Sequence, residues 1–336
     1  MKITREFIEK IPKTDLHLHL DGSLRLSTLI GLAQENDISL PVHTEEELKK
    51  KIFKDKYQKL EEYLEGFTYT GAVLQSESAL ERVSYELAVD NIAEGVRYIE
   101  VRFAPQLHQH KHLGIINILK AVNRGLNIAA EEFNATANVQ SGKDVRFVYG
   151  IIVCAMRMFD YGYSEYFDAL LDVHKYSERK WIFSLASQEL VKAAVEARAR
   201  CKIPIVGFDL AGQEKGYPAV DHKPAYALAH KNFLKKTVHA GEAFGPESIF
   251  QAITELYADR IGHGVHLFNT EMILNGEIED KQAYVENLAQ YIGDRRITLE
   301  VCLTSNMQTI PEFKELKDHS FKKMREYGLS ITICTD

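Results

Sequence analysis

The sequence lacks a CxxC pair. Its four cysteines stand apart at 154, 201, 302 and 334 of 336 residues, which excludes a thiolate zinc cluster. Cys154, Cys302 and Cys334 sit in apolar, strand-like runs and read as buried free thiols, as suits a reducing cytoplasm. A long apolar run is also missing. The stretch 147–156 is about half of the ~20 residues a membrane helix needs. Residues 1–13 are charged with no apolar centre, unlike a signal peptide. No membrane partner is expected, and the expected location is cytoplasmic. Positive charge is not in excess: 41 Lys and Arg face 48 Asp and Glu, a net −7. Without a basic block, nucleic acid is not an expected partner and a small, neutral ligand is.

What is present is an ordinary globular composition, 45% hydrophobic and 26% charged. Short β-branched or aromatic runs alternate with longer helical patterns. The strand candidates are 13–20, 98–104, 145–155, 204–210, 237–241, 260–266, 298–304 and 331–336. Helix-like segments lie between them at 78–95, 115–134, 187–201, 224–235, 247–258 and 312–327. Strands alternating with helices imply parallel pairing through βαβ units. Eight such units imply a closed (β/α)8 TIM barrel rather than an open sheet. The chain, 1–336, therefore reads as a single barrel domain.

One segment breaks the rhythm. Between the first two strands lie roughly eighty residues, far beyond a usual βα connection, giving a helical insertion at about 24–95. Within it Leu48, Ile52, Tyr57, Leu60, Leu64 and Phe67 recur at about helical spacing. The insertion leaves the barrel rim that carries active sites in this fold. It reads either as a solvated excursion or as a lid over a ligand.

Alternation along 14–22, Thr-Asp-Leu-His-Leu-His-Leu-Asp-Gly, puts Leu16, Leu18 and Leu20 on one face and His17 and His19 on the other. Two crowded imidazoles call for a shared partner, and a cation satisfies both. His239 ends the fifth strand and Asp336 the eighth. In a barrel such ends converge on one rim, and three His nitrogens with one carboxylate suit catalytic zinc. Glu242 follows the fifth strand into a turn, placed for a proton donor or for a helix N-terminus. His263 lies between Gly262 and Gly264, which leave room for a ligand or a close backbone. Gly212, after the fourth strand, offers a backbone N–H or a positive-φ turn. His108, His110 and His112 read as a solvated loop. His43, His174, His222, His230, His266 and His319 show no companion group, and Trp181 reads as packing.

Taken together, PKTDLHLHLDGSL (12–24), YIEVRFAP (98–105), GFDLAGQE (207–214), VHAGEAFGPESI (238–249), RIGHGVHL (260–267), CLTSNMQT (302–309) and ICTD (333–336) resemble the adenosine deaminase family of zinc-dependent hydrolases. The resemblance implies one Zn2+ per chain on His17, His19, His239 and Asp336. It implies that Glu242 protonates ring nitrogen N1, and that His263 orients the attacking water and helps take its proton. Gly212 would contact N3 through its N–H. Asp21 would contact the ribose, with His19 beside it, and Leu64 and Phe67 would line an apolar subsite. The implied reaction is hydrolysis of adenosine, and of 2′-deoxyadenosine, to inosine and ammonia. Related adenine deaminases tend to carry Glu where Asp21 stands, so Asp21 favours a nucleoside over the free base. The alternative enzyme is an adenine deaminase or another purine-directed amidohydrolase of the same fold, and the reading of another class is a non-catalytic purine-binding relative or a truncated fragment. The family's last strand continues past the metal Asp to a polar residue and a final helix. The sequence stops at Asp336, so the natural protein is expected to extend further.

Overall fold

The computed structural model describes residues 3–58 and 60–336, the side chains of Leu60 and Glu61 excepted. The expected apolar contribution of Leu60 thus falls outside the described residues. Eight strands form: β1 (Lys13–His19), β2 (Val96–Phe103), β3 (Val148–Met156), β4 (Ile205–Ala211), β5 (Lys235–Ala240), β6 (Arg260–His263), β7 (Thr298–Val301) and β8 (Ile331–Ile333). They pair in sequence order, and every pair is parallel. The chain beyond β8 returns to β1. Asp336 N–H donates to the His17 carbonyl at 2.9 Å, and the Thr335 hydroxyl donates to Asp15 Oδ2 at 2.6 Å. The result is a (β/α)8 barrel.

Local sequence explains the outer layer. The helix Ile115–Asn134 buries Ile118, Leu119, Val122, Leu126 and Ala129 at helical spacing. The helix Glu77–Ala93 begins where the Ser76 hydroxyl accepts Ala79 N–H at 3.2 Å. Leu18 and Leu20 join this outer apolar core, as the alternation in β1 requires.

The barrel interior is different. Strand alternation turns Arg102, Asp209 and Glu300 inward, and all three are fully buried. Arg102 donates to Asp209 Oδ2 at 2.9 Å, to Glu300 Oε2 at 2.8 Å and to the Leu16 carbonyl at 2.7 Å. An unpaired buried charge costs several kcal/mol, so Arg102 serving two carboxylates, with Arg260 Nε also 2.5 Å from Glu300 Oε1, is what lets the centre of the barrel stay ionic.

The insertion after β1 comprises the helices Leu26–Glu35, Glu45–Lys51, Leu60–Leu64 and Gly66–Val73. The remainder of 24–95 is the helix Glu77–Ala93, which belongs to the barrel. The insertion is tied across the rim, with Tyr57 N–H donating to the Gln308 carbonyl at 2.8 Å and Lys56 Nζ to the Phe313 carbonyl at 2.6 Å.

Some expectations change. The expected helix 187–201 starts earlier, as Arg179–Arg200, yet Trp181 on it is 63% exposed and does not pack in the core. The 312–327 segment keeps only the α-helix Phe321–Glu326. The helix Lys281–Asp294, capped by the Asp280 carboxylate, has a weak apolar stripe and was not expected. His108 is fully buried rather than solvated, because the turn Pro105–Leu107 folds it back against the Phe103 ring, with centroids 6.0 Å apart. His222 and His319 do have partners: His222 Nδ1 lies 2.7 Å from Ser187 Oγ, and His319 Nε2 lies 3.2 Å from Asn306 Oδ1. Tertiary folding supplies both, from residues distant in the chain or around a turn. No helix among the described residues is long and apolar enough to cross a membrane.

Candidate active site

Four side chains meet at the rim formed by the strand ends. His17 and His19 come from β1, His239 from β5 and Asp336 from the segment after β8. One ligand atom from each lies within 4.8 Å of all the others. His19 Nε2 faces His239 Nε2 at 3.1 Å, and His17 Nε2 lies 3.1 Å from Asp336 Oδ1. Glycine makes the crowding possible: a Cβ on Gly262 would stand 2.9 Å from His17 Cε1, so β6 passes His17 only without a side chain there.

The far side of the imidazoles is held by carboxylates. His17 Nδ1 hydrogen-bonds Glu300 Oε2 at 2.8 Å, and His239 Nδ1 lies 3.0 Å from Asp209 Oδ2. These are the two carboxylates that share Arg102. A neutral imidazole whose Nδ1–H faces a carboxylate presents the Nε2 lone pair opposite, the usual support for a metal-binding histidine. Buried His17 Nε2 is outside hydrogen-bond geometry and faces Asp336 Oδ1, a second prospective ligand, at 3.1 Å. Three imidazole nitrogens and one carboxylate turned toward one another fit a divalent cation. A second set, His17, His263, Cys302 and Asp336, overlaps the first through His17 and Asp336. Burial pushes the Cys302 thiol well up, so its sulfur stays protonated and the first set is the better host.

Glu242 stands beside this cluster, in the turn after β5. The turn is built on Glu214, whose carboxylate accepts the N–H groups of Gly241, Glu242, Ala243 and Phe244 at 2.8, 3.2, 2.8 and 2.9 Å. Burial, then the negative charges of Asp336 and Glu214, push the Glu242 carboxyl up to about 8. It is therefore a neutral acid at neutral pH. His263 Nε2 lies 3.6 Å from Glu242 Oε2 and 3.9 Å from Asp336 Oδ2. Burial lowers His263 to about 3, so its ring is neutral.

The remaining expected residues surround this centre. Asp21 is buried, with Oδ1 unpaired and 3.8 Å from His19 Nδ1. Burial pushes it up to about 6. Gly212 follows β4 with φ +98°, a left-handed conformation that glycine adopts without strain. The Phe67 ring stands edge-on to His19, with centroids 6.4 Å apart. Leu64 is half-buried on the preceding short helix.

Sequence reading missed several participants. Asp209 and Glu300 each carried a readable signal, a charge inside an otherwise apolar strand, whereas Arg102 shares β2 with Arg97 and Glu100 and did not stand out. Glu214 carried none, since an acidic residue after a strand is ordinary. Tyr63 lies one helical turn before Phe67, with ring centroids 5.7 Å apart. Burial, then the negative charge of nearby Asp336, push its hydroxyl well up, which places the ring near the acidic centre.

A family model described as adenosine deaminase matches residues 12–336. A protein described as a probable adenosine deaminase from Dictyostelium discoideum is 34% identical over 336 residues, which are 100% of this chain and 36% of that protein. The chain thus spans about a third of that relative. An adenosine deaminase of Mycobacterium avium is 34% identical over 98% of this chain and 81% of its own length. Among solved structures, an amidohydrolase from Burkholderia ambifaria with bound Zn superposes with a TM-score of 0.73 at 20% identity, over 100% of this chain and 79% of that one. An adenine deaminase from Arthrobacter aurescens gives 0.69 at 23%, over 97% and 82%. Both show the fold.

Proposed function

Because this chain belongs to the adenosine deaminase family, we propose that it hydrolyses adenosine, and 2′-deoxyadenosine, to inosine and ammonia. The observation that carries this reading is the convergence of His17, His19, His239 and Asp336 beside a carboxyl that burial keeps protonated. The donor set suits one zinc ion, which when bound lowers the pKa of a water from 15.7 to about 7.

The chain's own groups do the rest. Asp209 and Glu300 fix the His239 and His17 rings. Glu242 donates its proton to purine N1 as the water oxygen bonds to C6, and the Glu242 carboxylate so formed takes the proton that this water gives up, so the ring does not accumulate negative charge. The C6–N6 bond then breaks as Glu242 passes that proton to N6 and takes the one left on the C6 hydroxyl, so that ammonia leaves, C6=O forms and Glu242 is again protonated. His263 orients the attacking water. The Gly212 N–H meets N3, and the unpaired Asp21 oxygen meets the ribose, which favours a nucleoside over the free base. Phe67 and Leu64 cover the apolar side of the purine. The buried free thiols support a cytoplasmic location.

The test is to give the purified protein adenosine, adenine or AMP and to measure ammonia release. Release from adenosine supports the proposal. Release from adenine alone would make the enzyme an adenine deaminase. No release from any of the three, with metal bound, would leave a non-catalytic purine binder.

A further inference from the structure

A chain of hydrogen bonds runs from a backbone amide to His263. Phe321 N–H donates to His319 Nδ1 at 2.9 Å. His319 Nε2 lies 3.2 Å from Asn306 Oδ1, and Asn306 Nδ2 lies 3.1 Å from His263 Nδ1. The three side chains are 3%, 0% and 1% exposed, so water does not substitute for a mismatched partner.

The starting point determines every later proton. A backbone N–H only donates, so His319 Nδ1 holds a lone pair and the proton of its neutral ring is on Nε2. That N–H requires an acceptor, which fixes Asn306 with its oxygen toward His319. The Asn306 NH2 is thereby turned to His263, whose Nδ1 must accept. The proton of neutral His263 is left on Nε2, facing the site. Turning the amide over would set the NH2 against the His319 N–H, leaving two buried donors opposed. Ser320 Oγ, which donates to the Val265 carbonyl at 2.7 Å, ties the segment carrying His319 to the one leaving β6.

We propose that Asn306 and His319 are positioning residues that lock His263 in the Nε2–H tautomer, so that it meets the attacking water as a hydrogen-bond donor. This rests on the water-orienting place given to His263 above. In a neutral imidazole protonated at Nε2 that nitrogen has no lone pair to accept a proton, so this tautomer makes His263 an orienting donor and not the base. The gaps from Nε2 to Glu242 Oε2 and Asp336 Oδ2, 3.6 and 3.9 Å, are too long for direct hydrogen bonds, so neither carboxyl claims the Nε2 hydrogen-bonding position.

The discriminating variant is Asn306→Asp, nearly identical in shape. A carboxylate only accepts, so it keeps the bond from His319 and draws the His263 proton onto Nδ1. The ring nitrogens of the full-length, 15N-labelled protein are read by long-range proton–nitrogen correlation, with and without zinc. The wild type is expected to show His263 protonated at Nε2, and Asn306→Asp at Nδ1. With adenosine, Asn306→Asp should lose at least about tenfold in kcat, as a wrong tautomer does, with KM within about twofold. His319→Gln, which still offers an N–H to Asn306, should keep the wild-type tautomer. Protonation of wild-type His263 at Nδ1, or no change of nitrogen in a folded Asn306→Asp, overturns the proposal. If Asn306→Asp does not fold, the wild-type and His319→Gln spectra decide. An absence of ammonia release by the wild type would defeat the proposed function while leaving the tautomer result intact.

Discussion

Glu242 and Glu214 show how two carboxyls a few residues apart in space take opposite roles. Glu214 spends its oxygens on four backbone N–H groups and the Ser248 hydroxyl. Glu242 has no such donors and is pushed up to about 8 by burial first. Replacing Glu242 with Gln keeps the shape and removes the proton. Turnover of adenosine should fall by at least ~10²-fold while metal content, measured after dialysis, stays at the wild-type level. Glu214→Gln acts differently. The amide NH2 would face N–H groups that need an acceptor, and charge-assisted bonds are lost. Urea unfolding should show a loss of about 2 kcal/mol or more, and turnover should drop because the Glu242 turn loosens. Near-normal stability would show that the turn does not depend on that carboxylate.

At the scale of elements, the insertion after β1 behaves as a strap over the rim. Its bonds to Gln308 and Phe313 join it to the loop between β7 and β8, so it spans the mouth instead of projecting into solvent. Its aromatic residues Tyr57, Tyr63 and Phe67 pack edge to face in series, with centroids 5.3 and 5.7 Å apart. Phe67 continues the series to His19. Phe67→Ala should therefore raise the KM for adenosine more than it lowers kcat, with zinc content unchanged. Steady-state rates across substrate concentration check this. An equal KM in the variant would mean that the aromatic face does not touch substrate. The helical spacing in the sequence pointed to this segment, and the family resemblance selected Leu64 and Phe67 within it, but both passed over Tyr63. Spacing identifies an apolar face, and a tyrosine ring packed between Tyr57 and Phe67 has no periodic signature.

For the whole molecule, the barrel is held at its centre by charge as well as by apolar packing. Arg102 from β2 reaches Asp209 on β4 and Glu300 on β7, so one side chain joins three strands that are not neighbours. Burial alone would raise Glu300, but Arg102 and then His17 hold it well below the usual carboxylate range. A carboxylate lowered in the folded state stabilises above its unfolded pKa, and that stability is lost as pH falls. Thermal unfolding should therefore drop steeply below about pH 4. Arg102→Met should cost about 3–5 kcal/mol, since it leaves buried Asp209 with no arginine and Glu300 with Arg260 alone as a permanent cation. It should also weaken metal retention, because the same carboxylates orient His17 and His239. A variant as stable as the wild type would show that the histidines, with Arg260 at Glu300, compensate the two charges.

By itself the sequence determined what depends on local pattern. Alternation put His17 and His19 on one face of β1, and the apolar outer face followed from Leu16, Leu18 and Leu20. The rhythm of eight strands and intervening helices implied the barrel, and the barrel implied that His239 and Asp336 meet the two histidines at one rim. Only the tertiary structure decided which charges neutralise each other and which hydrogen bonds orient the site. Arg102 finds Asp209 and Glu300 across the interior. Glu214 finds the turn at Gly241, and Asn306 bridges His263 to His319. His108 is buried by a turn that carries no strand or helix period. The physical reason is common to all of these. Periodicity reports which face a residue occupies, whereas a buried polar partnership depends on distances across the closed barrel, set only when strands far apart in the chain reach their final register.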